Sequence, residues 1–170
     1  VGSVGKVLSN LEFKVGEDAE LLVKGPSVFS GYANVSNDSV FTDDGFFKTG
    51  DCGRIDDEGY VYITGRKKEI IVLSNGKNVA PNLVEETLLR SKFISQVVVV
   101  GDNRKFLSAL IVLDPETVSH VLGIAGTLSD LVENREIKAL IQQDVLACSK
   151  GLSAYEIIKK FVLIPNEFSI

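Results

Sequence analysis

Three short stretches of the chain carry side chains whose types and spacing could do chemistry: Thr49-Gly50-Asp51, Gly65-Arg66-Lys67-Lys68-Glu69 and Ser74-Asn75-Gly76. In the first, small residues lead into an acid at a strand end, which leaves the carboxylate room to accept two hydrogen bonds from a vicinal diol. The plain alternative is an acid that caps a turn. In the second, the guanidinium of Arg66 presents a fork of donors suited to a diol or a phosphate. Against that stands a surface arginine bridging to a neighbouring acid. Lys67 reads as part of a solvated positive edge. In the third, Asn75-Gly76 lies between "EIIVLS" and "KNVAP". That pattern predicts a β-hairpin with a type I′ turn, which needs positive φ at both central positions.

The elements that must position these groups change character along the chain. Residues 1–66 read as β structure cut by turns, with "AELLVKG" as a strand and "DDG" and "DDEG" as turn chemistry. From residue 67 a hairpin is followed by a helix over "PNLVEETLLRSK", with Leu83, Val84, Thr87 and Leu88 on one face and cations in its last turn. Two near-continuous apolar strands, "ISQVVVVG" and "KFLSALIVLD", are joined by the polar turn Asp102-Asn103-Arg104. Asp114-Pro115-Glu116 starts a helix with an N-cap acid and proline in the first turn. "NREIKALIQQDVLACSKG" places Ile137, Leu140, Ile141 and Val145 on one helical face and stops at Gly151. Ser153-x-x-Glu156 is the signature of a capping box for a last short helix before the strand in "FVLIPNEF".

Composition bounds the function. Hydrophobic residues at 45% and charged residues at 24% describe a globular protein, and a net charge of −5 lacks the basic footprint of nucleic-acid binding. The apolar runs are too short to span a bilayer. Cys52 and Cys148 are too few and too far apart for a disulfide framework, and no signal-peptide pattern opens the sequence. The reading is cytoplasmic, with peripheral membrane attachment left open. The absence of Met leads to the expectation that these residues are a piece of a longer chain.

The stretch "GYANVSNDSVFTDDGFFKTGDCGRIDDEGYVYITGRKKEIIVLSNGKNVAPNLVEE" resembles the central signature of the adenylate-forming (AMP-binding) acyl-CoA synthetases. The run "ITGRKKEIIVLSNGKNVAP" is similar to their long-chain fatty acyl-CoA ligase branch. The resemblance extends over essentially the whole chain and is strongest at residues 29–86. It implies an α+β fold: residues 1–66 as the distal, barrel-like all-β part of a large adenylation domain, and residues 67–170 as a small mobile α+β lid. It implies that Asp51 and Arg66 contact the ribose of ATP or AMP, that Ile63 lines the nucleotide pocket and that Lys68 is the hinge. Ser74, Asn75 and Gly76 would form the loop that lies along the coenzyme A channel in the thioester step. The implied substrates and cosubstrates are a fatty acid, ATP with Mg²⁺, and coenzyme A, with the N-terminal part of the same longer chain as partner.

Other groups that the resemblance implies have no counterpart in these residues. These are a Ser/Thr/Gly-rich phosphate loop, an acyl-pocket motif and a catalytic lysine, which Lys159 and Lys160 do not match. The chain is therefore expected to hold no catalytic residue, to be inactive by itself and to bind nucleotide weakly. Two other functions remain open: an adenylating enzyme for aryl or amino acids that loads a carrier protein, and a non-catalytic module that binds a partner through the hairpin or an apolar strand edge. Asp43, Asp44, Asp56, Asp57 and Glu58 lack EF-hand spacing and read as solvated turns, with no metal site. His120 has no nucleophile motif beside it. Cys52, next to an acid, reads as a small packed residue, and Cys148 as the edge of a helix face.

Overall fold

Short alternating runs and glycine turns build an antiparallel sheet at the start of the chain in the computed structural model, which describes residues 2–34, 36–124 and 126–168. The chain divides into two units, Val1–Ile70 and Ile71–Ile170. The strands of the first are β1 (Gly5–Lys6), β2 (Glu12–Val15), β3 (Glu20–Lys24), β4 (Phe47–Ile55) and β5 (Tyr60–Arg66), with a single helical turn, α1 (Asn37–Val40), between β3 and β4. They lie in the order β1-β5-β4-β3-β2 with every neighbouring pair antiparallel. The sheet does not close into a barrel: among the described residues β1 and β2 remain its edges.

Two turns of this unit show what its acids do. Asp56 opens the β4–β5 connection, where its Oδ1 accepts from Glu58 N and Tyr60 N and its Oδ2 from the Tyr62 hydroxyl. Gly59 completes that turn at φ +81°. Asp44 accepts from Lys14 Nζ at 2.5 Å and from the Thr42 hydroxyl at 2.6 Å. These acids are the turn chemistry that their glycine neighbours suggest.

The second unit contains a small hairpin, β6 (Ile71–Val72) with β7 (Asn78–Val79), and a three-stranded sheet of β8 (Ile94–Val100), β9 (Ser108–Leu113) and β10 (Lys160–Ile164). β8 and β9 are antiparallel, whereas β9 and β10 are parallel. A parallel pair needs a crossover, and the helices α3 (Pro115–Leu122), α4 (Leu128–Glu133) and α5 (Arg135–Cys148) supply it. With α2 (Pro81–Leu88), they bury a continuous core that includes Leu88, Leu107, Ile111, Leu113, Val118, Leu131, Ile137 and Ile141.

The helix signals have different outcomes. Asp114 caps α3 as expected, its side chain accepting from Thr117 N at 2.7 Å. On α5 the expected face is buried through Ile137, Ile141 and Val145, with Leu140 partly buried against the same core. α2 buries Val84, Thr87 and Leu88, but Leu83 points outward. No cation lies in its last turn, because the helix ends at Leu88, before Arg90 and Lys92. The helix expected after Ser153 does not form. Glu156 Oε2 accepts from Ser153 N and Glu156 N donates to Ser153 O, so the cap closes one turn before the chain enters β10. α4 was not anticipated, although Thr127 and Asp130 make a complete capping box at its start.

Candidate functional site

The β4–β5 ladder brings Asp51 and Arg66 together. They are direct cross-strand partners, and Arg66 Nη1 donates to Asp51 Oδ1 at 2.5 Å. Both remain accessible, with side-chain exposures of 26% for Asp51 and 57% for Arg66. The neighbouring carboxylate pushes the guanidinium further above its already high pKa. Gly50 takes φ +73°, a left-handed conformation that suits glycine, and so turns the chain into Asp51. Thr49 secures the approach: its Oγ1 accepts from Asp51 N at 3.1 Å and donates to Leu21 O at 2.7 Å.

A bulge decides which side chains share this face. Arg66 pairs with Asp51 and Gly65 with Cys52, after which the register skips Thr64 so that Ile63 pairs with Gly53. Counted along the ladder, Ile63 therefore shares a face with Asp51 and Arg66; in a regular strand, residues three apart would face opposite ways. Ile63 is half-exposed, a free apolar surface beside the pair. Gly53 leaves no room for a side chain, since a Cβ there would collide with Tyr62 O and lie 2.8 Å from Leu21 Cδ1.

Lys67 corrects the sequence reading. It is not a solvated edge cation: its Nζ lies 2.5 Å from Asp18 Oδ2 and 2.8 Å from Glu20 Oε2. The hydrogen bonds to these two acids raise the lysine pKa, while the bond from Lys67 lowers that of Asp18. Glu20 is buried, and its other oxygen, Oε1, accepts from Gly50 N at 2.9 Å. Sequence reasoning missed Asp18 and Glu20. The only available signal was a pair of acids flanking a turn, and nothing local says that Glu20 faces Cys52 across the sheet. Burial raises the Cys52 thiol pKa, the charges of Asp18 and Glu20 adding to the effect, which fits a packed cysteine rather than a thiolate nucleophile.

Lys68 is exposed within the 3-10 turn Lys67–Glu69, just before the division at Ile70, and makes no ion pair among the described residues. In the second unit, Ser74, Asn75 and Gly76 form the exposed hairpin tip. The turn there is not type I′. Gly76 has φ +78°, but Asn75 is not among the residues with positive φ. Gly76 N donates to Leu73 O, and Leu73 N to Lys77 O. This is a three-residue loop closed by a glycine bulge. Asn75 Oδ1 accepts from Lys77 N at 3.1 Å. Ser74 N donates to Arg104 O and Asn103 N to Val72 O, so the hairpin is laced to the β8–β9 turn.

Residues 68–165 match the AMP-binding enzyme C-terminal domain. The chain belongs to the AMP-binding enzymes. The chain is 43% identical over 182 residues to the long-chain-fatty-acid–CoA ligase FadD15 of Mycobacterium tuberculosis; the match covers 99% of the chain and 29% of that protein. It is 35% identical over 161 residues to human long-chain-fatty-acid–CoA ligase 6, covering 90% of the chain and 23% of the relative. The chain thus spans less than a third of the length of these relatives. Among solved structures it resembles the O-succinylbenzoate coenzyme A synthetase of Bacillus subtilis in complex with ATP and magnesium ion. There the TM-score is 0.69 at 28% identity, over 98% of this chain and 33% of that one. The adenylation domain of a carboxylate reductase from Mycobacterium chelonae shares the fold, with a TM-score of 0.73 at 24% identity, over 96% of this chain and 27% of that one.

Proposed function

We propose that this chain is the ribose wall, hinge and moving lid of a long-chain fatty acid–CoA ligase. The enzyme joins a fatty acid to ATP, giving acyl-AMP and pyrophosphate. It then passes the acyl group to the thiol of coenzyme A, releasing AMP. A carboxylate cannot acylate a thiol at neutral pH because it would have to expel oxide; adenylation makes AMP the leaving group. The observation that carries the reading is the accessible Asp51–Arg66 pair, in a chain 43% identical to a long-chain fatty acid–CoA ligase.

In this reading Asp51 accepts hydrogen bonds from the two ribose hydroxyls. Arg66 donates to that carboxylate from the ribose side, and Ile63 packs against the nucleotide. Lys68 is the pivot of the lid, its exposure leaving the backbone there free to turn. The Ser74–Gly76 tip enters for the thioester step, along the pantetheine arm. Magnesium travels with the ATP phosphates. Among the described residues no group of three or more His, Cys, Asp or Glu side chains could hold it, so none of its ligands is assigned here. The phosphate grip and the charge stabilisation of the reacting centre lie outside these residues. By itself the chain turns over nothing and binds nucleotide weakly.

A second reading, activation of aryl acids, draws on the likeness to the O-succinylbenzoate enzyme. The test follows pyrophosphate release by the full-length enzyme with ATP, Mg²⁺ and a panel of fatty, aryl and amino acids, with and without coenzyme A. Release driven by long-chain fatty acids and raised by coenzyme A is the expected result. Release with aryl or amino acids alone selects that reading instead, and no release with any acid overturns both.

A further inference from the structure

Glu20 is a buried carboxylate on β3 with its two oxygens committed in different directions. Oε1 accepts from the backbone N–H of Gly50, the residue before Asp51, at 2.9 Å. Oε2 accepts from the ammonium of Lys67, the residue after Arg66, at 2.8 Å. One side chain therefore holds the residue next to each member of the Asp51–Arg66 pair: Gly50 within β4, and Lys67 in the turn that follows β5. Asp18, in the turn that leads into the same strand, holds the other side of the Lys67 ammonium at 2.5 Å.

We propose that Glu20, with Lys67 as its counter-ion, is a positioning residue that sets the separation and aim of Asp51 and Arg66 for a ribose diol; this rests on the ribose role proposed above. The argument is physical. Asp51 and Arg66 are accessible, and exposed ion pairs fix geometry poorly because both side chains retain rotamer freedom. A vicinal diol, by contrast, presents two donors at a fixed spacing and rewards a carboxylate already in place. The rigidity must come from beneath the pair. A buried carboxylate bound to a backbone N–H and an ammonium is held far more firmly than a surface one, and leaving it without its cation is strongly unfavourable. The register shifts on either side of β4, at Glu20/Leu22 and Cys52/Gly53, fall where this brace acts, since a bulged segment lacks some of the ladder bonds that would otherwise hold it.

The test measures binding of AMP and of 2′,3′-dideoxy-AMP to the full-length enzyme and takes the ratio of the two Kd values. A ratio is independent of the fraction of protein that is folded, so a loss of stability alone leaves it unchanged. The wild type should prefer AMP by about 10- to 100-fold, the value of one or two charge-assisted hydrogen bonds, and Asp51→Ala should abolish the preference. Glu20→Gln keeps an acceptor for Gly50 N–H but sets an amide against the ammonium, and should reduce the ratio by about tenfold. Lys67→Met, which removes the cation at a half-exposed position, should do the same if Glu20→Gln fails to fold, and Lys67→Arg should restore it.

A ratio lost in Asp51→Ala but kept in the Glu20 and Lys67 variants, whatever their melting temperatures, overturns the positioning role and leaves the ribose reading intact. A wild-type ratio near one overturns the ribose reading and the brace with it.

Discussion

At the scale of single residues, the reading turns on what a carboxylate does when it is partnered. Asp51 is expected to contribute to nucleotide affinity rather than to bond making. In the full-length enzyme, Asp51→Ala should raise the KM for ATP by about 10- to 100-fold, with a smaller effect on the KM for the fatty acid, as steady-state kinetics would report. An unchanged KM for ATP would remove the ribose role. The other partnered acids make a prediction about pH. Lys14 and Thr42 lower the pKa of Asp44 to about 2, Lys67 lowers that of Asp18, and backbone donors lower those of Asp56 and Asp114. Each group has a lower pKa folded than unfolded, so its stabilisation is complete above the unfolded value near 3.8 and is lost as pH falls towards 2. Melts of this chain should therefore be insensitive to these groups from about pH 5 upwards and fall steeply between about pH 4 and pH 2. A decline that begins above about pH 5 would point to a different titrating group.

At the scale of elements, local chemistry was legible where it is complete within a few residues, and illegible where pairing decides. Asp114-Pro115 states its own helix start, and the structure shows that cap made in full. Asp114→Ala should destabilise the chain by about 1 kcal/mol in urea denaturation, and Asp114→Asn by less, since asparagine offers the same acceptor. Equal losses for the two would mean that charge at the helix end outweighs the hydrogen bond. The Thr127 box was equally local, but its short helix gives little apolar periodicity to draw attention. The Asn75-Gly76 pair predicts a hairpin and its location correctly. The turn type differs because the bond from Leu73 N to Lys77 O fixes a three-residue loop, and pairing register cannot be read from the two residues at the tip. The site divides in the same way. Asp51 and Arg66 could be singled out from their own motifs, whereas the Glu20–Lys67 contact joins residues 47 apart and exists only through the order of the strands. The bulge that turns Ile63 towards them is likewise invisible until β4 and β5 are paired.

At the scale of the whole molecule, the two units differ in how much apolar surface holds each together. In the second, helices and sheet share one continuous core, and Ile111, Val112 and Leu113 on the central strand β9 are fully buried. The buried apolar side chains described in the first are Leu21, Leu22, Phe46, Cys52 and Val61, under an open sheet with two edges. Its aromatic cluster of Phe29, Tyr32, Phe41 and Phe47 stacks at ring separations of 4.6–6.1 Å, but Phe29 and Tyr32 remain exposed. Each buried aliphatic or aromatic side chain contributes about 1.5–3 kcal/mol before chain entropy is subtracted. The first unit therefore has much less with which to oppose local opening. Hydrogen exchange on this chain should show β8 and β9 amides as the slowest, exchanging only through opening of the second unit. β3, β4 and β5 should exchange sooner, through openings that leave the second unit folded. Equal protection of the two units, lost together in denaturant, would mean that they open as one cooperative body and that the thin core is compensated elsewhere. If the order is as expected, the Glu20 brace gains importance: in a sheet with few apolar contacts beneath it, a buried carboxylate bound to Gly50 of β4 and to Lys67, just after β5, accounts for a large share of what keeps Asp51 and Arg66 in register. Lys67→Met should then accelerate exchange at β4 and β5 while leaving β8 and β9 unchanged.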